Sequence, residues 1–185
     1  MKRITKSFFK KSTLEIARAL LGCYLVNKTK EGELIGKIIE TEAYLSNDPA
    51  SHSFNGKTKR NSAMFGSPGK AYVYFTYGMY HCFNVVTAKE GIGEAVLIRA
   101  LEPIKGIELM KKRRNQDNIN ELCNGPAKLV QAMGITKKHN GISLLEGSLR
   151  LCKGDKIAKN NIAKSKRIGI SKGTNLSYRF YLKDK

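Results

Sequence analysis

Residues 37–44 read Lys-Ile-Ile-Glu-Thr-Glu-Ala-Tyr, which places two carboxylates inside an apolar run that is typical of a β-strand. Because side chains alternate between the faces of a strand, one face is predicted to carry four of these residues: Ile38, Glu40, Glu42 and Tyr44. Acidic side chains are uncommon in strands and costly to bury. The pair therefore indicates either a cleft in which a carboxylate serves as a general base, or an edge strand with an acidic face turned to solvent.

Short apolar segments on both sides of this strand predict a sheet. Their length and their content of β-branched and aromatic residues are typical of strands, at 23–26, 34–42, 71–77, 81–86, 94–100, 148–151, 167–171 and 178–182. Residues 153–166 are polar and basic and are predicted to form a loop.

Three segments are predicted to be helices. The first has apolar residues at helical spacing over 14–21, after a capping-box pattern that begins at Ser12. The second, 102–115, has Pro103 in its first turn and a basic end, and the third covers 125–133. Helices around a strand-rich centre predict one α+β domain.

Length and composition are those of a globular domain. At 185 residues the chain fits one domain on a prior of about 150 residues, and 41% hydrophobic content with 17 Gly and 4 Pro argues against disorder and collagen-like repeats. No apolar run approaches the roughly 18 residues of a membrane-spanning helix, and the basic residues 1–4 are not followed by the apolar core of a signal peptide. We expect reduced, buried thiols in a cytoplasmic protein at four scattered cysteines: Cys23, Cys82, Cys123 and Cys152.

The charge is strongly positive and unevenly spread. The chain has 34 Lys+Arg and 15 Asp+Glu, a formal net charge of +19. Residues 1–104 carry +6 and residues 105–185 carry +13. Such an excess favours a polyanionic partner, either nucleic acid or an anionic membrane surface, although a lysine-rich, solvated surface would show the same charge.

Residues 71–80 hold four of the eight tyrosines and form the densest aromatic segment. Tyr72 and Tyr80 are predicted to be packing residues. Tyr77 stands beside Gly78, where a turn is predicted between two strands. In a basic protein, an aromatic side chain at the tip of a hairpin can stack on bases or wedge between them.

Isolated polar residues in or near the predicted strands are further candidates. Arg99 in the apolar run 95–100 requires a partner such as Glu40 or Glu42, or else reaches solvent at a strand end. Asn84 either satisfies a buried backbone group or reads the edge of a ligand. No metal-ligand spacing, Ser-His-Asp order or phosphate-binding glycine loop is present, which argues against zinc deaminases, NTPases and dehydrogenases.

Taken together, these segments resemble the alkyladenine (3-methyladenine) DNA glycosylase family. The similarity covers roughly residues 5–182 in the family's order. The matching stretches are 39–44 (IETEAY), 51–53 (SHS), 60–61 (RN), 64–65 (MF), 68–69 (PG), 72–74 (YVY), 77–80 (YGMY), Asn84, 96–103 (VLIRALEP) and 122–129 (LCNGPAKL). The Lys-, Asn- and Ile-rich composition, without the long N-terminal extension of vertebrate members, indicates a bacterial source.

The resemblance implies a single DNA glycosylase domain over residues 1–185, mixed α+β, with a curved, mostly antiparallel sheet flanked by helices. It implies a monofunctional enzyme that removes alkylated or deaminated purines from duplex DNA and so begins base excision repair. No cofactor, metal or membrane is expected, and the partner would be double-stranded DNA that contains damaged purines. The protein would be a monomer, associated with the nucleoid in the cytoplasm of a bacterium, or nuclear in a eukaryote.

The resemblance also implies roles for the candidate residues. Glu42 would be the general base that activates water, and Arg99 with a backbone carbonyl near Ile168 would hold that water. Three residues would line the pocket and stack on the extruded base: Tyr44, His52 and Tyr74. Asn84 would exclude the guanine amino group. The remaining candidates are for DNA: Tyr77 as the wedge, and Arg60, Lys128 and the run 111–114 as phosphate contacts.

Two other functions are compatible with the same residues. A basic nucleic-acid-binding module without catalysis would leave Glu40 and Glu42 with structural roles. A carbohydrate hydrolase would use them as paired carboxylates. Neighbours on one strand do not face each other across a substrate, and a charge of +19 is unusual for an enzyme of neutral sugars, so the hydrolase is disfavoured.

Overall fold

The sheet is organised around its longest strand, β2 (Gly32–Tyr44). The computed structural model describes residues 1–76 and 80–183. The other strands are β1 (Tyr24–Thr29), β3 (Ala71–Thr76), β4 (Tyr80–Val86), β5 (Ala95–Lys105), β6 (Leu149–Cys152), β7 (Ile162–Ser165) and β8 (Arg179–Leu182). The α-helices are α1 (Thr13–Ala19), α2 (Ile107–Arg114) and α3 (Pro126–Ala132).

All strand pairs in the described residues are antiparallel, in the order β3-β4-β5-β2-β1-β6. β5 lies along one side of β2. On its other side, β2 pairs with β1 over residues 32–37 and with β8 over residues 40–42, and β8 in turn pairs with β7. The sheet therefore forks along β2, and the α+β fold with an antiparallel sheet is confirmed.

The helices cover the sheet over a common hydrophobic core. α1 packs on β2 and β5, α3 packs on β4 and β5, and α2 packs on α3. The core combines fully buried residues from each layer, among them Ile16, Ile38, Phe83, Ile98 and Leu129. The predicted capping box at the start of α1 is present, because Ser12 and Glu15 bond each other's backbone N–H groups. The four cysteines are buried free thiols, as predicted.

Three predictions about local structure are wrong. Residues 102–105 continue β5 instead of beginning a helix. Pro103 is tolerated because β4 pairs only with residues 95–97 of β5, so that β5 has one free side at Pro103. The predicted strand at 167–171 is a loop, and β7 lies within residues 153–166, which were predicted to be a loop.

The register of β2 changes at Ile39. Ile38 pairs with Leu101 and Glu40 pairs with Ala100, so Ile39 is an extra residue on β2. One pair further, Thr41 faces Ile98, which makes Arg99 the extra residue on β5. These are β-bulges, which reverse the alternation of side chains.

The double bulge corrects the predicted face of β2. Ile38 points into the hydrophobic core, and so do Thr41 and Ala43, because Thr41 donates a hydrogen bond to the Ala17 carbonyl of α1 at 2.9 Å. Ile38 therefore does not share a face with Glu40 and Glu42. The edge-strand alternative is also wrong, because β2 is central and the Glu42 side chain has no exposed surface.

Candidate active site

Glu42 lies beneath the wall of a cavity and is held by two hydrogen bonds and one ion pair. Its Oε1 accepts a hydrogen bond from the backbone N–H of Ile168 at 2.9 Å and lies 3.3 Å from the Arg99 guanidinium. Its Oε2 accepts a hydrogen bond from the Tyr44 hydroxyl at 2.9 Å. The three partners line the cavity, whereas Glu42 lies directly behind them.

Arg99 also binds the second carboxylate of β2. Its Nε donates to Glu40 Oε1 at 3.0 Å, and Arg179 of β8 donates to the same oxygen at 2.6 Å. Of the two alternatives predicted for Arg99, the carboxylate partner is confirmed, because Arg99 contacts both Glu40 and Glu42. Arg99 is only 13% exposed and Glu40 10%, so these ion pairs are shielded from solvent. Charge-assisted bonds in such surroundings fix side-chain geometry closely.

The cavity has a volume of about 460 Å³, and four aromatic side chains contribute to its wall: Tyr44, His52, Tyr72 and Tyr74. The His52 and Tyr74 rings meet edge to face with centroids 4.5 Å apart, and the Tyr72 and Tyr74 rings are 5.4 Å apart. The Tyr72 hydroxyl lies 2.9 Å from His52 Nδ1. The site has the size and composition of pockets that bind small aromatic ligands, typically about 300–1,000 Å³.

Burial keeps the titratable aromatic side chains of the cavity neutral. Desolvation raises the pKa of Tyr72 to about 12. Desolvation and then the Glu42 carboxylate raise the pKa of Tyr44 far above its ordinary value, so Tyr44 is a neutral phenol that donates its proton. Desolvation, followed by the charge of Arg60, lowers the pKa of His52. A neutral histidine between tyrosines keeps the aromatic part of the wall uncharged near neutral pH.

Asn84 lies on the floor of the cavity and is buried. Its Nδ2 donates to the Tyr72 carbonyl at 3.0 Å, opposite it in the β3–β4 register. The amide group of Asn84 thus satisfies a backbone acceptor, while the residue also borders the space in which a ligand would lie.

Among residues 1–76 and 80–183, no three His, Cys, Asp or Glu side chains come together as metal ligands do. In the same part of the chain, no helix has the length and apolar character needed to cross a bilayer.

A family model described as methylpurine-DNA glycosylase matches residues 7–185. The chain belongs to this family. The resemblance deduced from the sequence is thereby confirmed: the protein is a DNA glycosylase of the 3-methyladenine type, a DNA-repair hydrolase that acts on N-glycosidic bonds.

Curated relatives with the name "Putative 3-methyladenine DNA glycosylase" are similar over nearly their full length. The protein from Francisella tularensis subsp. tularensis (strain FSC 198) is 55% identical over 175 residues, which are 93% of this chain and 91% of the relative. The one from Carboxydothermus hydrogenoformans is 53% identical over 182 residues, 98% and 95% of the two chains. The one from Methanoculleus marisnigri is 49% identical over 180 residues, 96% and 93%.

The glycosylase brings most of the predicted site residues to one cavity. Those that line it are Tyr44, His52, Tyr74, Asn84, Arg99 and Ile168. Ile168 reaches Glu42 through its backbone N–H, and its side chain is 48% exposed. The roles assigned to these residues remain predictions.

The predicted DNA contacts lie elsewhere. Tyr77 is outside the residues that the structure describes, between β3 and β4. Arg60 is exposed and donates to the Phe75 carbonyl at 3.1 Å, beside that hairpin. Lys128 of α3 lies 2.6 Å from the Glu121 carboxylate and 2.8 Å from Asn124 Oδ1. In the run 111–114, three residues contact polar groups of the protein itself: Lys111, Arg113 and Arg114.

Three charged residues of the site were missed in the sequence. Arg179 anchors Glu40, while Asp48 and Arg167 form a buried ion pair at the cavity wall. Their partners are distant along the chain, so no local spacing reveals them. The only available signal was the proximity of Arg167 to Ile168 and of Asp48 to His52.

Proposed function

We propose that this protein is a monofunctional glycosylase whose single domain, residues 1–185, extrudes damaged purines from duplex DNA and hydrolyses their N-glycosidic bonds. Its substrates would be 3-methyladenine, 7-methylguanine, hypoxanthine and etheno-adenine, and its product would start base excision repair. The observation that supports this proposal best is the position of Glu42, a carboxylate held by three groups behind an aromatic cavity.

Extrusion of the base is required by the chemistry. The glycosidic bond lies within the base stack, and turning a nucleotide out costs a few kcal/mol, less for a damaged or mispaired base. In the proposed complex the base enters the cavity between Tyr44, His52 and Tyr74. A cationic alkylpurine would gain a further stabilisation of about 2 kcal/mol from desolvated tyrosine faces.

Hydrolysis would use a water between Glu42 and the cavity. Tyr44, Arg99 and Ile168 separate the carboxylate from the open space, so the water would contact Arg99 and the Ile168 backbone as well as Glu42. Glu42 would remove one proton of this water as its oxygen bonds to C1′ and the C1′–N bond breaks, and the purine would leave with the electron pair of that bond. The negative carboxylate would also stabilise the oxocarbenium character that develops on the sugar.

The monofunctional mechanism has a specific alternative in the cavity. Lys172 lines the wall and has the amine that a Schiff-base lyase would need. We propose that it does not react with the sugar, because Glu42 is the group that the site holds in place. Strand cleavage or borohydride trapping at an abasic product would show the opposite.

Affinity for DNA would come from the net charge of +19. Arg60 and Lys128 would contact phosphates, and Tyr77 would fill the gap that the base leaves. Binding should therefore weaken steeply with salt. We propose a monomer that works at the chromosome, which lies in the cytoplasm of a bacterium.

The test is release of free base from alkylated and hypoxanthine-containing duplexes in the presence of a metal chelator. Glu42→Gln should lower the single-turnover rate by about 10²–10⁴-fold, because a general base is lost, while lesion binding is kept. Glu33→Gln, the same change at the other end of β2, is the control and should excise normally. Excision by Glu42→Gln at the wild-type rate would refute the mechanism, and salt-sensitive binding without any release by the wild type would favour a non-catalytic module.

A further inference from the structure

Arg167 is a buried arginine that holds four separate segments together. Its side chain has no exposed surface. It forms a two-pronged ion pair with Asp48, in which NH1 contacts Oδ2 and NH2 lies 2.9 Å from Oδ1. The guanidinium also donates to the Ala43 carbonyl at 3.0 Å and to the Gly173 carbonyl at 3.4 Å, and lies 4.6 Å from the centre of the Tyr44 ring.

The Asp48–Arg167 pair joins two walls of the cavity. Asp48 precedes Pro49 and Ala50, which line one wall, and its Oδ1 also accepts a hydrogen bond from the Ala50 N–H at 3.0 Å. Arg167 precedes residues 168–172, which line another wall. Each partner is about 1% exposed or less, so the pair cannot be replaced by contacts with water.

Arg167 also fixes the positions of two of the three groups that hold Glu42. Ile168, the next residue, donates its backbone N–H to Glu42 Oε1 at 2.9 Å. Tyr44, on which the guanidinium stacks, donates its hydroxyl to Oε2 at 2.9 Å. The third group, Arg99, belongs to β5 and is fixed separately by its hydrogen bond to Glu40.

We propose that Asp48 and Arg167 are a positioning pair that fixes the Ile168 amide and the Tyr44 hydroxyl against Glu42, and thereby the orientation of the general base. The inference rests on the proposed function for its effect on the rate. Neither residue touches the cavity space, so both act through their neighbours. The planar fork of arginine is needed because it meets a carboxylate and two carbonyls at once, which an ammonium group does not match.

The test compares Asp48→Asn, Arg167→Lys and the double variant with the wild type at a temperature where all are folded. Each single change should slow single-turnover excision by about 10–100-fold, since displacement of a reacting group by about 1 Å has effects of this size. The dissociation constant for lesion DNA should change by less than about threefold. The double variant should be no slower than the slower single variant, because residues that act as one unit are not additive.

Leu149→Ala is the control for loss of stability alone. Leu149 is a buried core residue of β6, outside the cavity, so its truncation lowers the free energy of unfolding without contact to Glu42. It should excise at the wild-type rate below its melting temperature. If Asp48→Asn and Arg167→Lys also excise at that rate, the positioning role is refuted.

A second measurement separates this inference from the proposed function. The Ile168 amide proton bonds to a buried carboxylate and should exchange slowly with solvent in the wild type. Asp48→Asn should speed this exchange at least about tenfold, whereas Leu149→Ala should not change it selectively. If Asp48→Asn speeds this exchange but the wild type excises no base, the proposed function is refuted and the positioning role is retained. Unchanged exchange would refute the positioning role even if the protein is an active glycosylase.

Discussion

Residues 32–38 and 40–44 of β2 carry ion pairs on the same face of the sheet, yet the two sets lie in different surroundings. In the first part, Lys37 lies 3.7 Å from Glu102, and the two side chains are 25% and 53% exposed. In the second part, Glu42 lies 3.3 Å from Arg99, and the two are 0% and 13% exposed. The first pair is open to solvent and the second is enclosed by β5, β8 and the loop after β7.

The comparison shows what the double bulge does. A surface ion pair contributes about 0–1 kcal/mol and tolerates substitution. Removing one partner of an enclosed pair costs about 3–5 kcal/mol, because the other charge is left buried. The extra residues, Ile39 on β2 and Arg99 on β5, lie at the boundary between the solvent-exposed part of β2 and its enclosed part. The bulge therefore turns the acidic residues toward the cavity and keeps Thr41 and Ala43 in the core.

The largest effect is expected from insertion of one alanine between Ile39 and Glu40, which would add a residue beyond the one that the bulge accommodates. A one-residue shift turns every later side chain to the opposite face, so Glu40 and Glu42 would point into the core. The cost is several kcal/mol for each buried charge, comparable with a total stability of about 5–15 kcal/mol. We expect no cooperative thermal unfolding by circular dichroism.

Ile38→Ala is the control for this insertion, because it removes core volume without changing the alternation. It should lower the free energy of unfolding by about 2–5 kcal/mol and keep excision below its melting temperature. An insertion variant that melts cooperatively near the wild-type temperature would mean that the facing of Glu40 and Glu42 is not needed for the fold.

A smaller effect, on the excision rate, is expected from Glu40→Gln. This variant tests the enclosed ion pairs of residues 40–44. Glu40 binds both Arg99 and Arg179, so its loss as an anion should let Arg99 move relative to Glu42. Single-turnover excision should fall by up to about 10²-fold, with little change in lesion binding. Glu102→Gln, the same change in the solvent-exposed pair, should have no measurable effect on either quantity. Equal rates in the two variants would show that Arg99 does not depend on Glu40.

The smallest effect is expected on the pH dependence of the free energy of unfolding, through His52. This residue lines the cavity that residues 40–44 of β2 face. The folded-state pKa of His52 is lowered, chiefly by desolvation, whereas the unfolded chain has an ordinary value of about 6.5. Below this pH the unfolded chain binds a proton that the folded ring does not, so the free energy of unfolding is highest above about pH 6.5 and falls as the pH is lowered.

Urea unfolding at pH 7.5 and pH 5.5, about one unit on each side of that value, measures this effect. The decrease between the two should be smaller in His52→Gln than in the wild type. His81→Gln, at a ring that packs on Phe75 outside the cavity, is the control. An identical decrease in wild type and His52→Gln would contradict the assignment.

Much of the architecture was predictable because it depends on local pattern. The strand through residues 34–42, the capping box of α1 and helix α3 follow from alternation, capping residues and an initial proline. The apolar surroundings of Arg99 predicted either a carboxylate partner or a position at a strand end, and the structure decided for the carboxylates. The extension of β5 through Pro103 could not be predicted, because whether a proline is tolerated there depends on where β4 ends.

By itself, the sequence determined the family, the α+β fold and the residues that meet at the cavity, because the motifs that encode them are short and contiguous. Only the tertiary structure decided how Glu42 is held. The bulge at Ile39 exists only in the pairing of β2 with β5, and Asp48 meets Arg167 across 119 positions of the chain. A pattern of neighbours cannot show which distant residues will be enclosed together, and enclosure is what turns an ordinary ion pair into a fixed one.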